Sequence, residues 1–210
     1  LRRAGLISAR RYLDRLGEDL AKLHAVPGRF VQSLEDASFD AWIKAYKPDE
    51  TTPNTTVSYY LKGSLVALGL DLEIRRRTEA GRSLDDVMRL LHARYGDAPR
   101  GFAEADLQRV FEEATGLDLD TYFTGFVRGR AEVDLAPYLA SHGLLLRGRW
   151  EEEPEPVFGP PAPAEPRPPA WLGVTTKAEH GRAVVATTLE GGPAERAGLY
   201  AGDEIIAWDG

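Results

Sequence analysis

"SYYLKGSLVALGLDLEIRRR", residues 58–77, decides the fold of this 210-residue chain. The apolar residues of this stretch fall on more than one face of a helix, and such a helix is buried on nearly all sides. Serine at its start is a favourable helix cap, and three arginines close it. We therefore predict a long central helix from about Ser58 to Arg77.

Two adjacent tyrosines, Tyr59 and Tyr60, occupy the first turn of this predicted helix. Neighbouring side chains on a helix point about 100° apart, so the two rings cannot share one role. Aromatic rings at a helix start usually fill the edge of a core with the hydroxyl left in water. One hydroxyl could instead face an active site, and the residues alone leave both alternatives open.

Further helices are predicted on both sides of the central one, because apolar residues recur there at the spacing i, i+3, i+4 and i+7. They cover Leu13–Leu23, residues 34–47, Leu84–Leu91 opened by a Ser83 and Asp86 capping box, Leu107–Ala114 ended by Gly116, and Leu119–Phe126 with Asp118 as N-cap. The fold class is thus mainly α, with a helical lobe over residues 1–150.

Proline concentrates in "EEEPEPVFGPPAPAEPRPPA", residues 151–170, which holds eight of the fourteen prolines. Proline fixes φ and lacks the backbone donor, so this segment forms neither a helix interior nor a central strand. We predict an extended, semi-rigid linker that separates the helical lobe from a second, smaller region at residues 171–210.

Composition excludes several classes of function. A formal net charge of −7 argues against a nucleic-acid surface, which needs clustered Lys and Arg. The chain has no cysteine, so disulfides, thiolate nucleophiles and cysteine metal sites are excluded. No run of 18 apolar residues exists that could span a membrane.

The sequence Tyr60-Leu61-Lys62-Gly63 resembles the Tyr-x-Lys-Gly element of gluzincin zinc aminopeptidases. Residues 42–76 and 112–129 are similar above all to the glycyl aminopeptidase family. The resemblance implies the helical C-terminal lobe of a thermolysin-like zinc metallopeptidase that hydrolyses peptide bonds. It also implies that Tyr60 donates a hydrogen bond to the oxyanion, that Tyr59 packs beside it, and that Lys62 is the structural partner of a carboxylate.

The chain departs from this family in its metal ligands. A gluzincin needs His-Glu-x-x-His on a helix, whereas no two of His24, His92, His142 and His180 are four residues apart. We expect the zinc helix to precede Leu1 in a longer parent enzyme. The chain by itself is then expected to hold no catalytic zinc and to be inactive.

The last 40 residues resemble half of a bacterial protease-associated PDZ domain. "GGPAERAGLYAGDEIIAWDG", residues 191–210, carries a short helix opened by Pro193 and a Gly-Asp turn before a strand. Such domains bind a peptide C-terminus as an added strand. The resemblance assigns the carboxylate-binding loop to Trp171, Leu172, Gly173 and Val174, and it implies that the second wall of the groove would follow Gly210.

Two classes of function therefore stand. In the first, the parent protein is a metallopeptidase in which this chain supplies Tyr60 and a peptide-docking module. In the second, the protein is a non-catalytic interaction protein, with a helical scaffold that carries a peptide-binding module and a Tyr60 that only packs. A His-Glu-x-x-His helix upstream in the gene would separate them.

Overall fold

The structure is a computed structural model and describes residues 2, 4–96, 101–148 and 171–207. The chain divides into two compact units, Leu1–Tyr138 and Leu139–Gly210. The first unit is helical, and the second contains a small antiparallel sheet. The predicted proline-rich linker at 151–170 lies outside the described residues, so it and the domain boundaries at 150 and 171 stay predictions.

The helices of the first unit follow one another through short connections. They are α1 Ala9–His24, α2 Leu34–Phe39, α3 Thr52–Thr55, α4 Tyr59–Arg77, α5 Leu84–Tyr95, α6 Glu104–Thr115 and α7 Asp120–Tyr122, with a 3-10 turn at Pro27–Phe30 and a π-helical turn at Phe123–Arg128. A further short helix, α8, spans Ala136–Ala140. Within the described ranges, no helix combines the length and apolar character needed to cross a membrane.

Helix α4 carries the core of this unit, as predicted from its sequence. The hydroxyl of Ser58 accepts a hydrogen bond from the Leu61 amide at 3.3 Å and caps the helix. The buried core cluster consists of Val66, Leu70, Ile74, Leu119, Tyr122 and Phe123. Burying one such large apolar side chain contributes about 1.5–3 kcal/mol. The position of α4 therefore depends mainly on packing, while its first turn depends on its cap.

The predicted caps of α5 and α6 are confirmed. The Ser83 amide donates to the Asp86 carboxylate at 2.9 Å, which completes the capping box that opens α5. Gly116 follows α6 with φ +71°, the left-handed conformation that glycine adopts without steric cost.

Two helix predictions were wrong in extent. The helix expected over residues 34–47 ends at Phe39, because the apolar Phe39, Trp42 and Ile43 are 89%, 80% and 72% exposed and no packed face holds a longer helix together. The segment after Leu119 is not one regular helix but α7 and a π-helical turn, which lets the consecutive Tyr122 and Phe123 both reach the core.

The second unit contains the strands β1 Val174–Glu179, β2 Arg182–Thr188 and β3 Glu204–Ile205 and the short helix α9 Pro193–Arg196. The sheet order is β1-β2-β3, and both pairings are antiparallel. Fully buried Val185 and Ala194 form its small core. Pro193 opens α9 as predicted, and Gly198 follows it with φ +82°.

Candidate functional site

The candidate site lies at the start of α4, where the backbone changes from extended to helical. Thr56 is extended, with φ −130° and ψ 146°, and Ser58 caps the helix two residues later. Val57 between them is 2% exposed, and its amide donates to the side-chain oxygen of Gln32 at 3.2 Å. The backbone that presents Tyr59 and Tyr60 is therefore anchored in the unit from behind.

The two tyrosines differ in exposure, although their rings lie close together. The Tyr60 side chain is 69% exposed, whereas Tyr59 is half-buried. Their rings lie 4.2 Å apart between centroids, with 32° between the ring planes. Tyr60 is thus not buried against apolar neighbours, which leaves its hydroxyl accessible to a reacting group.

Tyr59 is also linked to a second segment of the chain. Its hydroxyl lies 3.2 Å from the hydroxyl of Tyr46, in the turn that follows α2. The Tyr46 ring lies 5.1 Å from that of Trp42. Trp42, Tyr46, Tyr59 and Tyr60 are thus connected by two ring contacts and one hydroxyl contact, and we call this group the aromatic ladder. Trp42 and Tyr46 belong to the stretch 42–76 that carries the family resemblance, but nothing in the sequence indicated a contact with the two tyrosines of α4.

The hydroxyls of the ladder perturb one another. Hydrogen bonds from Tyr59 and then Tyr46 lower the pKa of Tyr60. The hydrogen bond with Tyr46, followed by that with Tyr60, raises the pKa of Tyr59. For Tyr60 hydrogen bonding to the neighbouring phenols outweighs burial, which acts in the opposite direction, whereas for Tyr59 burial adds to the effect of the hydrogen bonds.

Lys62, the third residue of the Tyr-x-Lys-Gly element, faces the interior and is 2% exposed. Its ammonium donates to the carbonyl oxygens of Arg29 and Gln32, both at 3.2 Å. Burial lowers the pKa of Lys62. We expected a carboxylate partner, but these hydrogen bonds go to backbone carbonyls. Glu132 instead pairs with Arg29 at 2.8 Å, so Lys62 holds the 3-10 turn region against α4.

The described part of the chain contains no group of three or more His, Asp or Glu residues placed to hold a metal ion. Its donors therefore do not fit the zinc that the sequence resemblance implies. Any zinc ligands of the parent enzyme would then lie outside the described residues.

In the second unit, the four predicted loop residues lead directly into β1. Trp171 is 57% exposed, Gly173 is buried with φ +81°, and the half-buried Val174 is the first residue of β1. The Leu172 carbonyl accepts from the Ala194 amide at 2.9 Å, and the Gly173 carbonyl accepts from the Leu189 amide at 2.8 Å. Among the described strands, β1 is an edge strand with β2 on one side.

The structure thus combines a helical unit, in which an exposed tyrosine stands at the head of a buried helix, with a small β unit. The sequence profile of the M61 glycyl aminopeptidase family matches residues 1–66. The crystal structure of an aminopeptidase N family protein from Idiomarina loihiensis matches 97% of the chain, with a TM-score of 0.81 and 31% sequence identity. No curated protein matches the chain significantly.

The match to the Idiomarina loihiensis protein covers 34% of that protein, so this chain spans about a third of its length. The two similarities agree on one kind of enzyme and support a peptidase-related function.

Proposed function

We propose that the intact protein is a zinc-dependent aminopeptidase and that this chain supplies Tyr60 as the hydrogen-bond donor to the oxyanion formed at the scissile carbonyl. The single observation that carries this role is the placement of Tyr60. Its side chain is 69% exposed at the first turn of a helix whose remaining turns carry the buried core. A rigid helix start with an outward hydroxyl can hold a donor in a fixed position.

The chemistry required of Tyr60 is modest. A phenol keeps its proton at neutral pH and so remains a donor, while its rigid ring has few rotatable bonds. A donor aimed at charge that exists only in the transition state lowers the barrier without tightening substrate binding. Loss of one such donor typically reduces the rate about 10²- to 10³-fold.

The metal belongs to another part of the proposed enzyme. Since the described residues hold no suitable ligand group, the proposal requires a His-Glu-x-x-His helix elsewhere in the full gene product. Residues 1–210 by themselves are then inactive, and peptide hydrolysis is a property of the intact protein.

The second unit is proposed to dock peptide C-termini. The outer edge of β1 lies opposite its pairing with β2, and an extended peptide can add to such an edge through backbone hydrogen bonds. Trp171, Leu172, Gly173 and Val174 lead into this edge and would receive the terminal carboxylate. Docking there would bring substrates to the peptidase or regulate access to it.

The test compares full-length wild-type protein with Tyr60→Phe and with Tyr200→Phe as a matched control. Tyr200 is 60% exposed in the second unit, so the control removes a similarly exposed hydroxyl. We expect bound zinc in all three proteins, and a kcat about 10²- to 10³-fold lower in Tyr60→Phe alone. Unchanged turnover in Tyr60→Phe would refute the role of Tyr60. Absence of both zinc and activity in the wild type would refute the proposal that the intact protein is a zinc-dependent aminopeptidase.

The alternative is a non-catalytic interaction protein, and one observation favours it. Phe39, Trp42 and Ile43 expose apolar side chains next to one another in sequence, which is typical of a surface that meets another protein. In this alternative Tyr60 belongs to the contact surface. A full gene without a zinc-ligand helix would favour it.

A further inference from the structure

Tyr60 needs support if it is to act as a fixed donor. A side chain that is 69% exposed at a helix start has water on most sides and can change rotamer. A catalytic donor must stay within about 0.5 Å of its productive position. The other residues of the aromatic ladder are the neighbours that restrict Tyr60.

Ring contacts restrict one side of Tyr60. Tyr59 lies against it at 4.2 Å between ring centroids, with 32° between the ring planes. At this distance the Tyr59 ring blocks the rotamers of Tyr60 that would occupy the same space. Tyr59 restricts Tyr60 only if its own ring is held in place. Since both residues lie in the first turn of α4, the support for Tyr59 has to come from another segment.

Tyr46 holds Tyr59 from outside the helix. Their hydroxyls are 3.2 Å apart and join segments that are 13 residues apart in sequence. The Tyr46 amide donates to the carbonyl of Ala41 at 3.1 Å, and Ala41 is only 5% exposed. The Trp42 ring also contacts the Tyr46 ring, at 5.1 Å between centroids. Tyr46 is therefore fixed to the unit by backbone and ring contacts.

Tyr46 reaches Tyr60 through Tyr59. The hydroxyls of Tyr46 and Tyr59 lie 3.2 Å apart, and either can donate to the other, since a phenol both donates and accepts. The ring of Tyr59 in turn contacts the ring of Tyr60. The pKa directions agree with coupling among the three phenols, since the pKa of Tyr60 is lowered by Tyr59 and Tyr46 while that of Tyr59 is raised.

We propose that Tyr46 and Tyr59 are positioning residues for Tyr60: the hydroxyl contact between Tyr46 and Tyr59 and the ring contact between Tyr59 and Tyr60 restrict where the Tyr60 phenol lies. This inference rests on the proposed function of Tyr60. It assigns a part in the reaction to a turn that the sequence placed inside a helix. In this role Tyr46 and Tyr59 act through Tyr60 and need no contact with the substrate.

The experiment is a double-mutant cycle in the full-length protein, with kcat and KM measured on a peptide substrate. The single variants are Tyr46→Phe, Tyr59→Phe and Tyr60→Phe, and the double variant combines Tyr46→Phe with Tyr60→Phe. Phenylalanine keeps the rings and removes only the hydroxyl. We expect Tyr46→Phe to lower kcat about 3- to 10-fold with KM unchanged, the range that one lost hydrogen bond gives.

The double variant separates positioning from an independent role. If Tyr46 acts through Tyr60, the Tyr46→Phe change has no further effect once the Tyr60 hydroxyl is gone. The proposal is overturned if Tyr46→Phe leaves kcat unchanged, or if it lowers kcat by the same factor in both backgrounds. Unchanged turnover in Tyr60→Phe defeats the proposed function instead, so the two failures are distinguishable.

A spectroscopic titration tests the ladder without any activity. Tyrosinate absorbance is followed against pH in wild type, Tyr46→Phe and the control Tyr200→Phe. We expect Tyr46→Phe to remove one tyrosine and also to shift the ionisation of two others, raising the pKa of Tyr60 and lowering that of Tyr59. A Tyr46→Phe curve in which one tyrosine is lost and the ionisation of all the others is unchanged overturns the inference.

Discussion

Gly28→Ala is the sharpest test of how the start of α4 is held in place. Gly28 is buried in the 3-10 turn that packs beside the segment before α4. A Cβ atom at this position would lie 2.5 Å from the Thr56 amide nitrogen and 2.7 Å from its carbonyl carbon, and closer still to the carbonyl oxygen. Real Cβ contacts are not this short, and the obstacle is backbone, so the two segments must move apart.

The expected cost follows from two opposing effects. Adding a methyl group where there is no room typically costs about 1–3 kcal/mol. Replacing glycine by alanine also reduces the entropy of the unfolded chain, which returns about 0.4–1 kcal/mol. We expect a net loss of about 1–2 kcal/mol in the free energy of unfolding, or a fall of roughly 3–7 °C in Tm for a unit of this size.

Gly17→Ala is the matched control, because Gly17 is exposed in α1 and a Cβ there meets nothing within 4 Å. Alanine is the better helix former, so this variant should gain about 0.5–1 kcal/mol. Both variants are measured in the full-length protein by thermal and urea unfolding, followed by far-ultraviolet circular dichroism. If Gly28→Ala melts at or above the wild-type temperature, the close approach of Gly28 and Thr56 is wrong. The displaced backbone should also lower kcat.

Three further predictions test other parts of the chain. Asp86→Ala should lower stability at neutral pH, because it removes the carboxylate that accepts from the Ser83 amide. The Ser83 amide lowers the pKa of Asp86 in the folded state, so its stabilisation is fully present above the ordinary carboxyl pKa of about 4. The difference from wild type in urea unfolding should shrink as pH falls below that value and disappear once pH passes below the lower folded-state pKa. Tyr122→Phe should lose about 0.5–1.5 kcal/mol in the same assay, because the buried hydroxyl donates to the Val66 carbonyl at 2.8 Å. Gly173→Ala should weaken binding of a C-terminal peptide, measured by calorimetry, more than Gly181→Ala does. Both glycines have positive φ, but only at Gly173 would a Cβ meet the Trp171 ring, at 3.3 Å.

The helical part of the fold was largely predictable from the sequence. Helix α4 extends over the predicted residues with the predicted serine cap, α5 begins at the predicted Ser83 cap, and α6 ends at the predicted Gly116. These features are local, because a cap and a 3.6-residue period involve residues within one or two turns of one another. The extent of α2 was not predictable in this way, because helix length there depends on what its apolar residues pack against.

The candidate site was predictable only in part. Tyr60 was selected by a four-residue motif and lies exposed at the head of α4, while its catalytic role stays a prediction. The partners of Lys62 were not predictable, since carbonyl groups at residues 29 and 32 leave no mark in the side-chain sequence.

The sequence by itself determined a buried central helix, its cap and the exposed turn on which two tyrosines follow each other, because these depend on the order of neighbouring residues. Only the tertiary structure decided that Tyr46 meets Tyr59, 13 residues away, and that the Lys62 ammonium is satisfied by backbone carbonyls 30 and 33 residues away. Such contacts depend on how the chain closes on itself. That closure is fixed by packing of the whole unit, which no local pattern of residues records.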